Sequence, residues 1–217
     1  VKIGIVAHTN RLDLANRLAD DVDPDFVSFD DGTAGCRRNH LNVWQYLAKS
    51  VDDDEWAIVL EDDAKPVLDF RRHAQAALDA APTDVVSLYL GKLRPPQWMK
   101  ERVPQAIARA NRDNAHWITG DYMLHAVGVA LRGRELVEKF LWATKDFRRP
   151  PDEMFSMWCR NYGHRLAYTW PSIVDHLDEP PAIEVHTDGE IRDRGRVAWR
   201  FGMRDNWNSR GAELKSP

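Results

Sequence analysis

The sequence predicts an α/β protein built on a mostly parallel sheet flanked by helices. Three observations carry that prediction. Short apolar runs alternate with helix-spaced apolar patterns in the order β-α-β-α-β-α-β over residues 1–91. The runs at 1–7 and 56–60 are nearly continuously apolar, as in strands buried on both faces. The 217 residues suffice for one domain with its own core, and the two cysteines, Cys36 and Cys159, show no spacing for a disulfide framework, an iron–sulfur cluster or a zinc finger.

Residues 1–7 read as a first strand rather than a signal peptide. Leu12, Leu14, Ala15, Leu18 and Ala19 follow at helical spacing, and residues 20–25 are a polar loop. Residues 26–29 form a second strand, closed by turn chemistry in Asp30-Asp31-Gly32. Over 35–50, Leu41, Val43, Trp44, Tyr46 and Leu47 mark a second helix. Residues 52–55 are an acidic loop, and the strand at 56–60 runs into Glu61-Asp62-Asp63. The Ala-rich stretch 70–81 is a helix stopped by Pro82, and 84–90 is a strand ended by Gly91. The second half is less regular. Residues 92–114 are polar and proline-containing, and are expected to be a surface excursion. Residues 126–131 are strand-like, 134–142 helical and 148–151 a loop. Residues 152–162 read as a helix that Pro151 can precede, and 164–170 as a strand. Periodicity fades beyond Pro180. No apolar run approaches a membrane span, and a hydrophobic share of 43% with 29% charged residues is that of a cytoplasmic globular protein.

The formal net charge of −4 hides an asymmetry. Residues 1–91 hold 9 Lys/Arg against 17 Asp/Glu, and residues 92–217 hold 21 against 17. Nine tryptophans are many for this length; most are expected in the core, although a Trp in a cleft can stack on sugars or bases.

In parallel α/β sheets ligands bind beyond the carboxyl ends of the strands. That rule puts Thr9, Asp30, Glu61, Asp62 and Asp63 along one edge. No glycine-rich dinucleotide fingerprint follows the first strand, and no Walker A motif occurs. Three adjacent carboxylates repel one another, and a divalent cation such as Mg or Mn, held together with nucleotide phosphates, relieves that repulsion. The plainer alternative is a solvated acidic loop, which is how Asp52-Asp53-Asp54 reads. Asp30 can accept from a ribose hydroxyl or a base imide, or simply hold a tight turn. Arg11 and Arg38 suit a diphosphate, or are surface charges. Asp152 and Glu153 open a helix, where a carboxylate serves either as a general base or as a partner for the helix dipole. His176 and His186 are each candidates to complete a metal site. No Gly-x-Ser-x-Gly occurs and Cys159 lies in an apolar helix, so a covalent hydrolase has no support.

The ordered string Gly35-Cys36, His40-Leu41, Trp44, then Ile58-Val59-Leu60-Glu61-Asp62-Asp63-Ala64 resembles the core of glycosyltransferase family 25, which contains lipopolysaccharide and collagen galactosyltransferases. Asn39 stands where that family has Ser; Arg38-Asn39 and Asp30-Asp31-Gly32 are closer to family 2 transferases. Gly128-Val129-Ala130-Leu131 with Gly133, Pro151-Asp152 and Pro171-Ser172-Ile173-Val174-Asp175-His176 resemble later family segments in the right order.

The resemblance implies a GT-A (Rossmann-like) domain over 1–190, with a nucleotide and metal half (1–91) and an acceptor half (92–190). An irregular Arg- and Trp-containing extension over 191–217 follows. It implies a nucleotide-sugar donor, UDP-linked by expectation, and Mn2+ or Mg2+. Glu61-Asp62-Asp63 would replace the DxD-type motif, with Glu61 and Asp63 toward the metal and Asp62 toward ribose or metal. Thr9, Arg11 and Asp30 would surround the nucleoside and Arg38 the base or diphosphate. Asp152, with Glu153 as substitute, would be the base of an inverting displacement, and His176 or His186 a further metal ligand. A hydroxymethyl pyrimidine in DNA, as in phage DNA-modifying transferases, is the acceptor that the Arg-rich end suits. Lipopolysaccharide, glycan or protein hydroxyls are alternatives. Readings of other classes are a nucleotidyltransferase-like enzyme and an inactive nucleotide-sugar-binding module.

Overall fold

The computed structural model describes residues 1–93, 95–179 and 195–216. Its first half alternates as expected: β1 (Lys2–His8), α1 (Leu12–Val22), β2 (Phe26–Asp30), α2 (Cys36–Ser50), β3 (Trp56–Glu61), a short β4 (Ala64–Pro66), α3 (Phe70–Asp79) and β5 (Val85–Ser87). Then come α4 (Pro96–Met99), α5 (Arg102–Arg112), β6 (Trp117–Gly120), β7 (Gly128–Arg132), α6 (Arg134–Thr144), α7 (Pro151–Tyr162), β8 (Leu166–Thr169), β9 (Val174–His176) and β10 (Gly211–Glu213).

Eight strands form one sheet in the order β10-β6-β8-β5-β7-β3-β1-β2. β2, β1 and β3 are parallel neighbours, as are β5 and β8, while β7 runs antiparallel between β3 and β5. The fold is therefore α/β and Rossmann-like, a mostly parallel mixed sheet flanked by helices. Strand pleating explains the continuous apolar runs. Ile3 and Ile5 of β1, with Ile58 and Leu60 of β3, face the cluster under α1 and α3. Val6, Ala57 and Val59 face the opposite cluster under α2, α5, α6 and α7. Six of the nine tryptophans are buried, so the aromatic excess is mainly core.

Residues 92–114, expected to be a surface excursion, contain α4 and α5 instead. Val103, Ala106 and Ala110 bury one face of α5 at helical spacing. Alanine makes a weak apolar signal, and Pro104 sits in the first turn, where it is tolerated. Strands β4, β6 and β9 are also additions to the expected elements; each has only three or four residues.

The described part of the C-terminal extension is irregular except for β10, which joins β6 at the sheet edge. It is tied down: Trp117 Nε1 donates to Asn208 O (2.7 Å), and the Trp117 and Trp207 rings lie 5.2 Å apart. Residues 197–202 cross the carboxyl ends of β5 and β8 through the bridges Gly91 to Ala198 and Ser172 to Phe201. Arg192 and Arg194 lie outside the described residues. Among the described residues no helix is long and apolar enough to cross a membrane.

Gly4 sets the distance between β1 and α2. A Cβ there would lie 2.3 Å from Val43 Cγ1 and 3.3 Å from Leu47 Cδ1. Gly4→Ala is expected to lower the unfolding free energy by roughly 1–3 kcal/mol, measured by urea denaturation.

Candidate functional site

The carboxyl ends of β1 and β3 supply the centre of the site. β1 leads directly into a 3-10 turn, Thr9–Arg11. From this turn Arg11 Nη1 donates to Asp62 Oδ1 (2.9 Å) and to Asp63 Oδ2 (2.6 Å). The His8 backbone N–H donates to Asp62 Oδ2 (2.8 Å), and the Asp62 N–H to Val6 O (3.0 Å). Both carboxylates are buried, and one guanidinium serves both. Burial raises the Asp62 pKa, with the Asp63 charge adding to it. Burial would raise Asp63 as well, but His176 and Arg11 outweigh it and hold that carboxyl below its ordinary value.

His176 arrives from far along the chain because β9 pairs antiparallel with β4, placing His176 opposite Ala64. Its Nε2 lies 3.3 Å from Asp63 Oδ2, and the Leu177 N–H donates to Asp63 O (2.8 Å). Among the described residues, Asp63 Oδ1 and His176 Nδ1 are buried and have no hydrogen-bond partner. A buried acceptor left so costs about 1–3 kcal/mol. A divalent cation on the Asp63 carboxylate would satisfy that acceptor; the oxygen donor suits Mg2+ or Mn2+, while the His176 imidazole is a donor that Mg2+ does not favour.

Pleating sends Glu61 to the other face, toward α2. There Glu61 Oε1 lies 3.1 Å from His40 Nε2 rather than beside Asp63 in a shared metal set. Cys36, one turn before His40, is open to solvent yet ringed by protein. Burial in this cleft pushes its thiol well above the usual range, and the charges of Glu61, Asp152, Asp63 and Asp62 push it further. The charges of all four carboxylates are therefore felt at one thiol.

Asp152 lies in the first turn of α7, which Phe155 and Trp158 anchor through Phe140 to Trp44 of α2. Burial raises its pKa to about 6; the Glu61 and Glu153 charges reinforce this, while the Glu153 N–H bond to its Oδ1 opposes it. Glu153 instead lies 3.6 Å from Arg149 in an exposed pair. Of the two, Asp152 is the carboxylate that burial makes the more basic.

Other expected residues sit differently. Asp30 is buried and accepts from the Ala34 N–H (3.0 Å) and the Gly35 N–H (2.8 Å), holding the loop before α2. Thr9 and Arg38 are exposed on the same edge. His186 lies outside the described residues. Asn39 donates to Ala7 O (2.9 Å) and Ser28 O (3.1 Å), clipping together the ends of β1 and β2. His40 and Tyr89 were not singled out as site residues. The i, i+4 spacing of Cys36 and His40 on a predicted helix was the available signal for the first. The Tyr89 ring, 6.3 Å from His176, had none.

Two stability changes test these electrostatics. Arg11→Met leaves two buried carboxylates without their counter-charge and is expected to lower stability by about 3 kcal/mol. Asp152→Asn should raise stability at neutral pH by about 1 kcal/mol, allowing for solvent screening. The sign follows from the raised pKa: the native state holds this proton more tightly, so ionisation between 3.8 and about 6 works against folding. The gain should vanish below the ordinary aspartate value, as read by denaturation at acidic and neutral pH. In comparisons with known proteins, no family model matches the chain and no curated protein matches it.

Proposed function

We propose that the protein is a metal-dependent glycosyltransferase that moves a sugar from a nucleotide-sugar, UDP-linked by expectation, to a hydroxyl acceptor with inversion. The observation that carries this reading is two kinds of carboxylate acting on the same Cys36 thiol. Asp63, held ionised beside His176, has an unpartnered oxygen. Asp152 is raised to about 6. Divergent carboxylate environments of this sort mark a charge-binding group and a proton-transfer group.

In this reading the acceptor hydroxyl gives its proton to Asp152 as its oxygen bonds to the anomeric carbon. The bond from that carbon to the diphosphate oxygen breaks, and the nucleoside diphosphate leaves with the electron pair. A divalent cation bound by Asp63 and His176 would supply Lewis-acid neutralisation of the leaving group. The Asp30-held loop and Thr9 would border the nucleoside, with Arg38 near the diphosphate. The single glycine-free turn between β1 and α1 favours this over a nucleotidyltransferase, whose phosphates need a glycine-rich loop there.

A polyanionic acceptor, DNA carrying hydroxymethyl pyrimidines, is favoured by a second observation. Arg204 and Arg210 lie near His116, lowering its pKa after burial has done so, and Arg200 lies near Arg204. Arg204 sits over the Trp207 ring, and Phe201 beside Arg200 in sequence is exposed. This basic patch borders the carboxyl edge where residues 197–202 cross β5 and β8.

Donor hydrolysis with UDP-sugars, with and without EDTA, tests the activity. Turnover should need the metal and be lost in Asp63→Ala; metal-independent turnover overturns the metal role, and no turnover with any nucleotide-sugar overturns the reading and leaves a binding module. Asp152→Asn should reduce kcat for transfer by roughly 10²–10⁴-fold with donor KM unchanged. Full transfer in that variant would move the base to Glu153. Binding of duplex DNA should weaken steeply with salt, and Arg200→Ala with Arg204→Ala should flatten that slope; salt-independent or absent binding removes DNA as acceptor.

A further inference from the structure

At the start of α2 three different donors converge from two elements. Cys36 Sγ, a ring nitrogen of His40 and a carboxylate oxygen of Glu61 all lie within 4.8 Å of one another. We propose that Cys36, His40 and Glu61 form a second metal site, for a thiophilic divalent cation of the zinc class.

The geometry needs little adjustment. Zinc–ligand bonds of about 2.0–2.3 Å in a tetrahedron put neighbouring donors roughly 3.5 Å apart. His40 Nε2 and Glu61 Oε1 are already 3.1 Å apart, so only Cys36 has to swing inward. His40 is 1% exposed, which fixes its ring, while Cys36 is open to solvent and gives the ion a path in. The other ring nitrogen, Nδ1, is buried without a partner, so Glu61 alone holds the ring by hydrogen bonding among the described residues. A thiol cannot be matched by Mg2+ or Mn2+, which prefer oxygen; thiolate, imidazole and carboxylate together select zinc. Three protein ligands leave the fourth position to water on the cleft side. Binding releases the Cys36 thiol proton to solvent, and the resulting thiolate coordinates the ion. This is no zinc finger, because the set has three protein ligands and one of them is a carboxylate.

The site is distinct from Asp63 and His176 and does not rest on the glycosyltransferase reading. Its test is cobalt titration of chelator-stripped protein, followed by the thiolate-to-cobalt charge-transfer band and the visible bands of four-coordinate cobalt. The band should saturate at one Co2+ per chain and be displaced by Zn2+, whatever further Co2+ binds without it. Cys36→Ser, at an exposed position, should abolish the charge-transfer band with the circular dichroism spectrum unchanged. Glu61→Gln should weaken binding at least about tenfold, and Cys159→Ala should change neither. Absence of the band, its survival in Cys36→Ser, two chains per ion, or unchanged affinity in Glu61→Gln would overturn the site and leave a surface thiol.

Discussion

The arrangement of this edge depends on Arg11 lying between Asp62 and Asp63. Two adjacent buried carboxylates are tolerated only where a counter-charge sits within hydrogen-bond reach. The fold supplies it by adjacency: β1 and β3 are parallel neighbours in register, Val6 opposite Glu61. One tight turn after β1 therefore carries Arg11 to the end of the neighbouring strand. The same adjacency lets the Asp62 N–H reach Val6 O and the His8 N–H reach the Asp62 carboxylate. A longer β1–α1 connection would lose this reach, so the brevity of the turn and the burial of the acidic pair are one constraint.

The turn that follows β3 at Glu61 then divides the acidic triplet. Glu61 projects toward α2 and His40, while Asp63 is met by the β9 histidine. The aromatic packing of Phe140 against Phe155, 4.2 Å between centroids, holds α7 beside α2 and aims its first turn at the same cleft. Asp152 is consequently placed by core packing that serves stability, although its own charge works against folding. Stability and a poised carboxylate pull in opposite directions at this position, as they do at many sites where a group is kept for its chemistry.

What could be read from sequence follows the strength of the local signal. The strands at β1 and β3 and the helix α2 have long or dense apolar patterns, and their places were legible. So was the edge carrying Glu61, Asp62 and Asp63, because strand ends in a β-α order point one way. Helix α5 was not, since its buried face is largely alanine, nor were three- and four-residue strands such as β4 and β9. That second gap mattered for the site. The approach of His176 to Asp63 is made by β4–β9 pairing across more than a hundred residues, which no local pattern records. Arg11 likewise read from sequence as a diphosphate ligand or a surface charge, because only the β1–β3 register shows its carboxylate partners.

The charge asymmetry between the halves acquires a physical consequence once both halves meet at one edge. Glu61, Asp62, Asp63 and Asp152 all act on the Cys36 thiol, and Arg11 is already engaged by two of them. An anionic diphosphate would therefore be repelled at short range unless a further cation entered with it. On the proposed reading, metal dependence is then a requirement of this cleft's own charge and not only a property suggested by resemblance. The basic segment across β5 and β8 bears on a different partner. It is exposed, so its field is screened within about 8 Å at physiological salt. It can guide a polyanion that touches it but cannot neutralise the acidic centre beneath. Two anionic substrates would thus be handled by two devices, a bound cation for the donor and surface arginines for the acceptor.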